Sequence, residues 1–197
     1  MDNPDEAPFN QSKQVPQPKS SGFFVEVLKF FFIILFVIVP FRVFIAQPFI
    51  VEGASMDPNF GNGNYLIVDQ ITYRLSDPER GSVLVFKHPL DNKQFLIKRI
   101  IGLPGETVQM KSGIVTIINK ENPEGFIYKQ PYIEFTTTDN KKLELGPDEY
   151  FVLGDNRPVS SDSRTWGAVH REEIIGRPFF RLLPFNKINI LPGDFSD

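Results

Sequence analysis

Residues 30–41, Phe-Phe-Phe-Ile-Ile-Leu-Phe-Val-Ile-Val-Pro-Phe, form an apolar run with no charge in it, and no other stretch constrains the chain as strongly. Apolar flanks extend the run to 23–46, where Glu26, Lys29 and Arg42 carry the only charges. As a helix rising about 1.5 Å per residue, 23–41 covers roughly 28 Å, close to the hydrocarbon thickness of a bilayer. Lys29 and Glu26 lie near one end, where they can snorkel, and Arg42 marks the other interface. A cleaved secretory signal and a buried core helix are the competing readings. A cleaved signal ends in a small-x-small site. Here the segment runs through Arg42 into Gln47, Pro48 and Phe49 and on into a β-branched stretch, so the expectation is one retained transmembrane anchor over 23–46.

Residues 1–22 are rich in Pro, Gln, Ser and Asn and lack hydrophobic periodicity, as expected of a disordered tail. Lys13, Lys19 and Lys29 precede the apolar core and Arg42 follows it, which favours the tail inside and the C-terminal domain outside.

From residue 47 the pattern changes to short alternating runs punctuated by Gly and Pro. Strands are expected at 48–53, 65–71, 82–86, 94–101, 107–110, 114–118, 126–128, 143–145 and 150–153. No helical periodicity separates them, so 47–197 reads as one mainly β domain. Polar turns at Asn119-Lys120-Glu121-Asn122-Pro123 and Asp139-Asn140-Lys141-Lys142 mark about 111–148 as an inserted β lobe.

Composition removes several chemistries. The chain has no cysteine, which excludes a disulfide scaffold, a thiolate nucleophile and any Cys-ligated metal. Its two histidines, His88 and His170, sit in polar contexts and argue against a His-rich metal centre, so no metal or other cofactor is expected. A net charge of −3 gives no bulk attraction to nucleic acid.

Three segments remain that can carry chemistry. In Gly53-Ala54-Ser55-Met56-Asp57-Pro58 a serine follows a strand and enters a tight turn. A turn of that kind exposes a hydroxyl and frees backbone N–H groups for an oxyanion, although a serine after glycine is most often purely structural. In Gln94-Phe95-Leu96-Ile97-Lys98-Arg99-Ile100-Ile101 alternation puts Leu96, Lys98 and Ile100 on one face and Ile97, Arg99 and Ile101 on the other. An amine between apolar neighbours loses hydration, its pKa falls, and it can serve as a neutral general base. From this segment alone the plainer reading is that one of Lys98 and Arg99 faces solvent. The third segment, residues 154–167, packs Asp155, Arg157, Ser160, Asp162 and Arg164 into one loop, which is either a supporting hydrogen-bond network or a solvated polar loop.

Taken together, these segments resemble the boxes of bacterial type I signal peptidases, membrane-bound Ser–Lys proteases of protein export. The resemblance runs from about residue 23 to 184. It implies that Ser55 attacks the scissile carbonyl, that Lys98 takes the hydroxyl proton, and that the Ser55 backbone N–H binds the oxyanion. It also implies that the Ser160 hydroxyl orients the lysine, that Asp162 and Arg164 form a supporting ion pair, and that Asp155 and Arg157 scaffold the loop. Val51, Met56, Phe60, Leu96 and Ile97 would line or adjoin shallow pockets for the residues one and three positions before the scissile bond, with substrate extended against the strands bearing Gly53 and Lys98. The partners implied are the signal peptides of exported preproteins and the lipid bilayer. The site implied is the outer side of the bacterial cytoplasmic membrane. Gly53 departs from members with a serine at that place, which removes one oxyanion donor, and Asn59-Phe60 stands where Thr-Leu is common. A self-cleaving repressor with the same dyad and an inactive membrane-anchored scaffold are the alternatives. The apolar segment counts against the first, and the intact Ser55 and Lys98 against the second.

Overall fold

The computed structural model describes residues 21–39, 46–134 and 136–193. The tail expected over 1–22 lies almost wholly outside that range, as does Arg42. The chain divides after Val39 into two units. The first is helical: α1 spans Ser21–Ile33, and a π-helical stretch follows over Ile34–Ile38. Its apolar side chains are exposed, Phe30 and Phe36 each at 66%. Among the described residues no helix is long and apolar enough to cross a membrane.

The second unit is built from antiparallel strands. They are β1 (Ala46–Ile50), β2 (Tyr65–Asp69), β3 (Val83–His88), β4 (Asp91–Gly102), β5 (Thr107–Lys111) and β6 (Ile114–Ile118). There follow β7 (Phe126–Ile127), β8 (Lys141–Glu144), β9 (Glu149–Leu153), β10 (Val169–His170), β11 (Ile174–Leu183) and β12 (Asn189–Ile190). Two one-turn helices, α2 (Thr72–Leu75) and α3 (Ser163–Trp166), interrupt them. The larger sheet runs β1-β2-β11-β3-β4-β9-β10 with β12 on β11, and a smaller one runs β7-β6-β5-β8.

Several boundaries differ from expectation. Ala46, assigned to the anchor, opens β1, and β1 ends at Ile50 because the chain there leaves the sheet for a loop over 51–64. The smaller sheet takes in β5, so it starts at Thr107, ahead of the lobe boundary expected near 111. Strand β11 was not expected at all, yet it joins β2 to β3 in the middle of the larger sheet. Its register shifts between Ile174 and Gly176, between Pro178 and Phe180 and again between Arg181 and Leu183, and such bulges erase the two-residue alternation by which a strand is read.

Strict alternation in β4 and β9 divides the core in two. Ile101, Phe151 and Leu153 join Val108, Met110, Val115 and Ile117 of the smaller sheet. Ile100, Tyr150 and Val152 join Leu84, Phe86 and Val169 on the other face. A buried side chain of this size contributes about 1.5–3 kcal/mol by burial, so both faces of β4 are firmly specified. A third cluster, Val51, Met56, Phe60, Leu66 and Val83, packs under the 51–64 loop.

Candidate active site

The loop after β1 is pinned at its base, where Val51 N–H donates to Asn64 O at 2.9 Å and Gly63 N–H donates to Val51 O at 2.8 Å. Gly53 N–H donates to Asn62 Oδ1 at 3.0 Å. Met56 and Phe60 face each other in a single β-bridge, closing a turn that the half-buried Ser55 immediately precedes. Met56 and Phe60 are 1% and 0% exposed, so of the two places expected for them, in the pocket wall or beside it, they take the second, as floor beneath the nucleophile. In a turn this tight an apolar side chain is driven inward to the third core cluster, and the serine hydroxyl is left on the open side.

Lys98 reaches that hydroxyl from β4. Its Nζ donates to Ser55 Oγ at 2.6 Å. The residue is only 3% exposed, paired across from Leu84 of β3. Burial is the main cause that brings its pKa from 10.5 to about 8; the Arg164 charge adds to the fall, while the Asp162 and Asp155 carboxylates oppose it. The amine thus lies in hydrogen-bond reach of the hydroxyl and is substantially neutral at mildly alkaline pH, the two properties that proton abstraction needs.

Arg99, one residue on and on the opposite face, is also fully buried, so neither side chain of the pair faces solvent. Its Nε donates to Asp155 Oδ1 at 2.8 Å and its Nη2 to Asp155 Oδ2 at 2.6 Å. The Arg99 guanidinium also lies over the Tyr132 ring, 4.0 Å from its centroid. Asn59 Nδ2 donates to the same Asp155 carboxylate at 2.9 Å. Arg99 and Asn59 are the members of the site that sequence reasoning passed over. A signal for Arg99 existed: a charge between Ile97 and Ile101 on a strand with two apolar faces demands a buried partner.

The 154–167 loop closes over the serine. Asn156 N–H donates to Ser55 O at 3.0 Å, and Asp155 N–H donates to Met56 Sδ at 3.4 Å. Gly154 admits no side chain, because a Cβ there would lie 2.5 Å from Ser55 O and 2.2 Å from Ser160 Oγ. Asp162 caps α3 by accepting from Arg164 N–H, accepts from Arg164 Nε at 2.8 Å, and accepts from Gly154 N–H at 3.1 Å. Arg157 is buried and does not pair with Asp155; it donates to Gly154 O at 2.8 Å and to Gln130 Oε1. Arg99 has already taken both Asp155 oxygens. Ser160 Oγ is buried without a hydrogen-bond partner, so the expected bond from this hydroxyl to the Lys98 amine is not formed here. The hydroxyl is packed over Gly154 instead.

A cleft of about 350 Å³ opens beside the dyad. Val51, Leu96 and Ile97 line it, together with Phe49, Glu52 and Phe95. Gly53, Met56 and Phe60 do not. Among the described residues no cluster of three or more His, Asp or Glu side chains is placed to hold a metal ion.

The family model for signal peptidase, peptidase S26, matches residues 24–183. The chain belongs to the signal peptidase family. Similar members include a probable signal peptidase I-2 of Synechocystis, 39% identical over 78% of this chain and 70% of that protein. A signal peptidase I of Leptolyngbya laminosa is 35% identical over 89% and 87%. Signal peptidase IB of Staphylococcus aureus is 36% identical over 79% and 86%. Membership makes this chain a serine peptidase of the signal peptidase type, acting on preprotein signal peptides. The signal peptidase match covers β1 to β11 and so includes every side chain described at the site.

Proposed function

We propose that the protein is a single-pass membrane endopeptidase that removes N-terminal signal peptides from exported preproteins by a Ser55–Lys98 dyad, with residues 47–197 as its catalytic domain on the outer side of the bacterial cytoplasmic membrane. The observation that carries the reading is the 2.6 Å approach of the buried Lys98 amine to Ser55 Oγ. Neutral Lys98 accepts the hydroxyl proton as Ser55 Oγ bonds to the scissile carbonyl carbon; the oxyanion is met by the Ser55 backbone N–H. Collapse of the tetrahedral species expels the new amine, which takes the proton from Lys98 and leaves an acyl-serine. Water, deprotonated by the again neutral Lys98, then attacks the acyl carbonyl carbon; the acyl–Oγ bond breaks, the signal peptide leaves with its new carboxylate, and Lys98 returns the proton to Ser55 Oγ.

Asp162 and Arg164, with Asp155 and Arg157, are supporting residues in this scheme, and Ser160 is a positioning residue whose buried hydroxyl has no competing partner to give up. Val51, Leu96 and Ile97 give the cleft apolar walls suited to small side chains. Anchoring is supported by the exposed apolar surface of 23–39. The test is processing of an exported precursor in membranes: Ser55→Ala and Lys98→Ala abolish cleavage while circular dichroism stays native. Normal processing by either variant excludes the dyad.

A further inference from the structure

The family model's match ends at residue 183, yet the chain continues into β12 and then folds back on the site. Leu191 adopts a left-handed φ of 51° while its N–H donates to Phe179 O at 2.8 Å. Pro192 is buried behind it. This turn brings Gly193 O to Arg99 Nη1 at 2.5 Å. Only glycine suits that place: its φ is +86°, and a Cβ would lie 2.6 Å from Phe60 Cε2 and 3.0 Å from Val83 Cγ2.

A wholly buried guanidinium depends on acceptors for the hydration it has lost. Asp155 takes the Nε and Nη2 protons, and Gly81 O and Gly193 O take those of Nη1 at 2.6 Å and 2.5 Å. Asp155 in turn belongs to the loop that grips the nucleophile, through Asn156 N–H on Ser55 O and Asp155 N–H on Met56 Sδ. An unbroken set of contacts therefore runs from Gly193 through Arg99 and Asp155 to the backbone of Ser55.

We infer that residues 191–193 are a positioning element for the Ser55–Lys98 site, in which the Gly193 carbonyl completes the buried Arg99–Asp155 bridge and so holds the loop that carries the nucleophile in register with the lysine. The inference rests on the dyad reading. It adds a part contributed from outside the region that the family model matches.

Two truncations of the full chain test it. A protein ending at Asp194 keeps Gly193 O as an amide and processes precursor like the intact enzyme. A protein ending at Leu191 keeps the hydrogen bond from Leu191 N–H to Phe179 O but loses the Gly193 O acceptor on Arg99 Nη1. Its kcat falls roughly 10- to 100-fold while KM holds. The alkaline midpoint of its pH profile also moves up, since Asp155, less tied to Arg99, favours the Lys98 ammonium more strongly; Asp162 and Arg164, the other charged groups facing that amine, are unchanged. If the Leu191-ended protein does not fold, Gly193→Ala is measured by the same two readouts. A folded protein with intact kcat and an unmoved midpoint overturns the inference, as does a rate that falls only in step with the folded fraction. Cleavage by Ser55→Ala would instead remove the dyad reading, a result that no truncation can mimic.

Discussion

Lys98 Nζ stands 2.6 Å from Ser55 Oγ although the two residues lie 43 positions apart, and the amine approaches from the part of β4, residues 98–102, that is buried on both faces. The hydrophobic packing that fixes β4 therefore also dehydrates the base.

The pH dependence follows from that placement. Burial disfavours the ammonium and brings the lysine to about 8, so the fraction of neutral base, and with it kcat/KM, rises with pH through about 8. Lys98→Arg is inactive at every pH, because a guanidinium does not deprotonate in a protein. Stability carries the same signature. Between about 8 and 10.5 the unfolded chain keeps a proton that the folded one has released, so the lysine's destabilising contribution shrinks as pH rises across that window. Lys98→Met is accordingly more stable than wild type below pH 8, by a margin that narrows toward pH 10.5. Chemical denaturation at a series of pH values measures it, and a constant margin would contradict the assignment.

The Arg99–Asp155 pair has 0% exposure on both side chains. Removing one partner strands the other charge in the interior, at a cost of about 3–5 kcal/mol. Arg99→Met and Asp155→Leu each lower the melting temperature by roughly 6–20 °C. The double variant recovers part of that loss, because no unpaired charge remains. A double-mutant cycle with simply additive losses would show that the two charges are not coupled.

Ser160 separates two kinds of contribution. Its buried Oγ has no partner in the resting site, so Ser160→Ala costs no stability and leaves the melting temperature level or slightly raised. Turnover nevertheless slows about 10- to 100-fold if the hydroxyl turns to the amine during the reaction. Full turnover would confine Ser160 to packing over Gly154.

Substrate choice is read with precursors carrying Ala, Leu or Lys one residue before the cut. The resemblance implies shallow pockets, and Val51, Leu96 and Ile97 supply apolar walls to the cleft, so Ala is processed well, Leu and Lys poorly. Leu96→Ala widens the wall and raises cleavage of the Leu precursor relative to Ala. Equal processing of all three precursors by wild type would mean that these walls do not select. Extended main-chain pairing alone reads no side chain.

Strands β2, β5 and β6 lie within a few residues of where alternation puts them, because a sheet with one dry face imposes a period of two on the sequence itself, and β9, dry on both faces, shows as a short apolar run. The same local reading located a serine in a tight turn and an amine in an apolar strand, since both depend only on neighbours. It failed where residues distant in sequence decide. The resemblance puts Met56 and Phe60 in or beside the pockets, but which side of a turn meets the core is decided by packing, and both side chains go inward. The segment alone turns one of Lys98 and Arg99 to solvent, because the partner that lets Arg99 be buried, Asp155, lies 56 residues away. Strand β11 stayed hidden because its bulges and Pro178 break the alternation, while its pairing with β2 and β3 satisfies the backbone. Residue types and their order were thus legible from the chain alone; burial of the amine, the partner of each buried charge and the side of each turn were settled by packing, because desolvation and ion pairing exist only between segments that the fold has brought together.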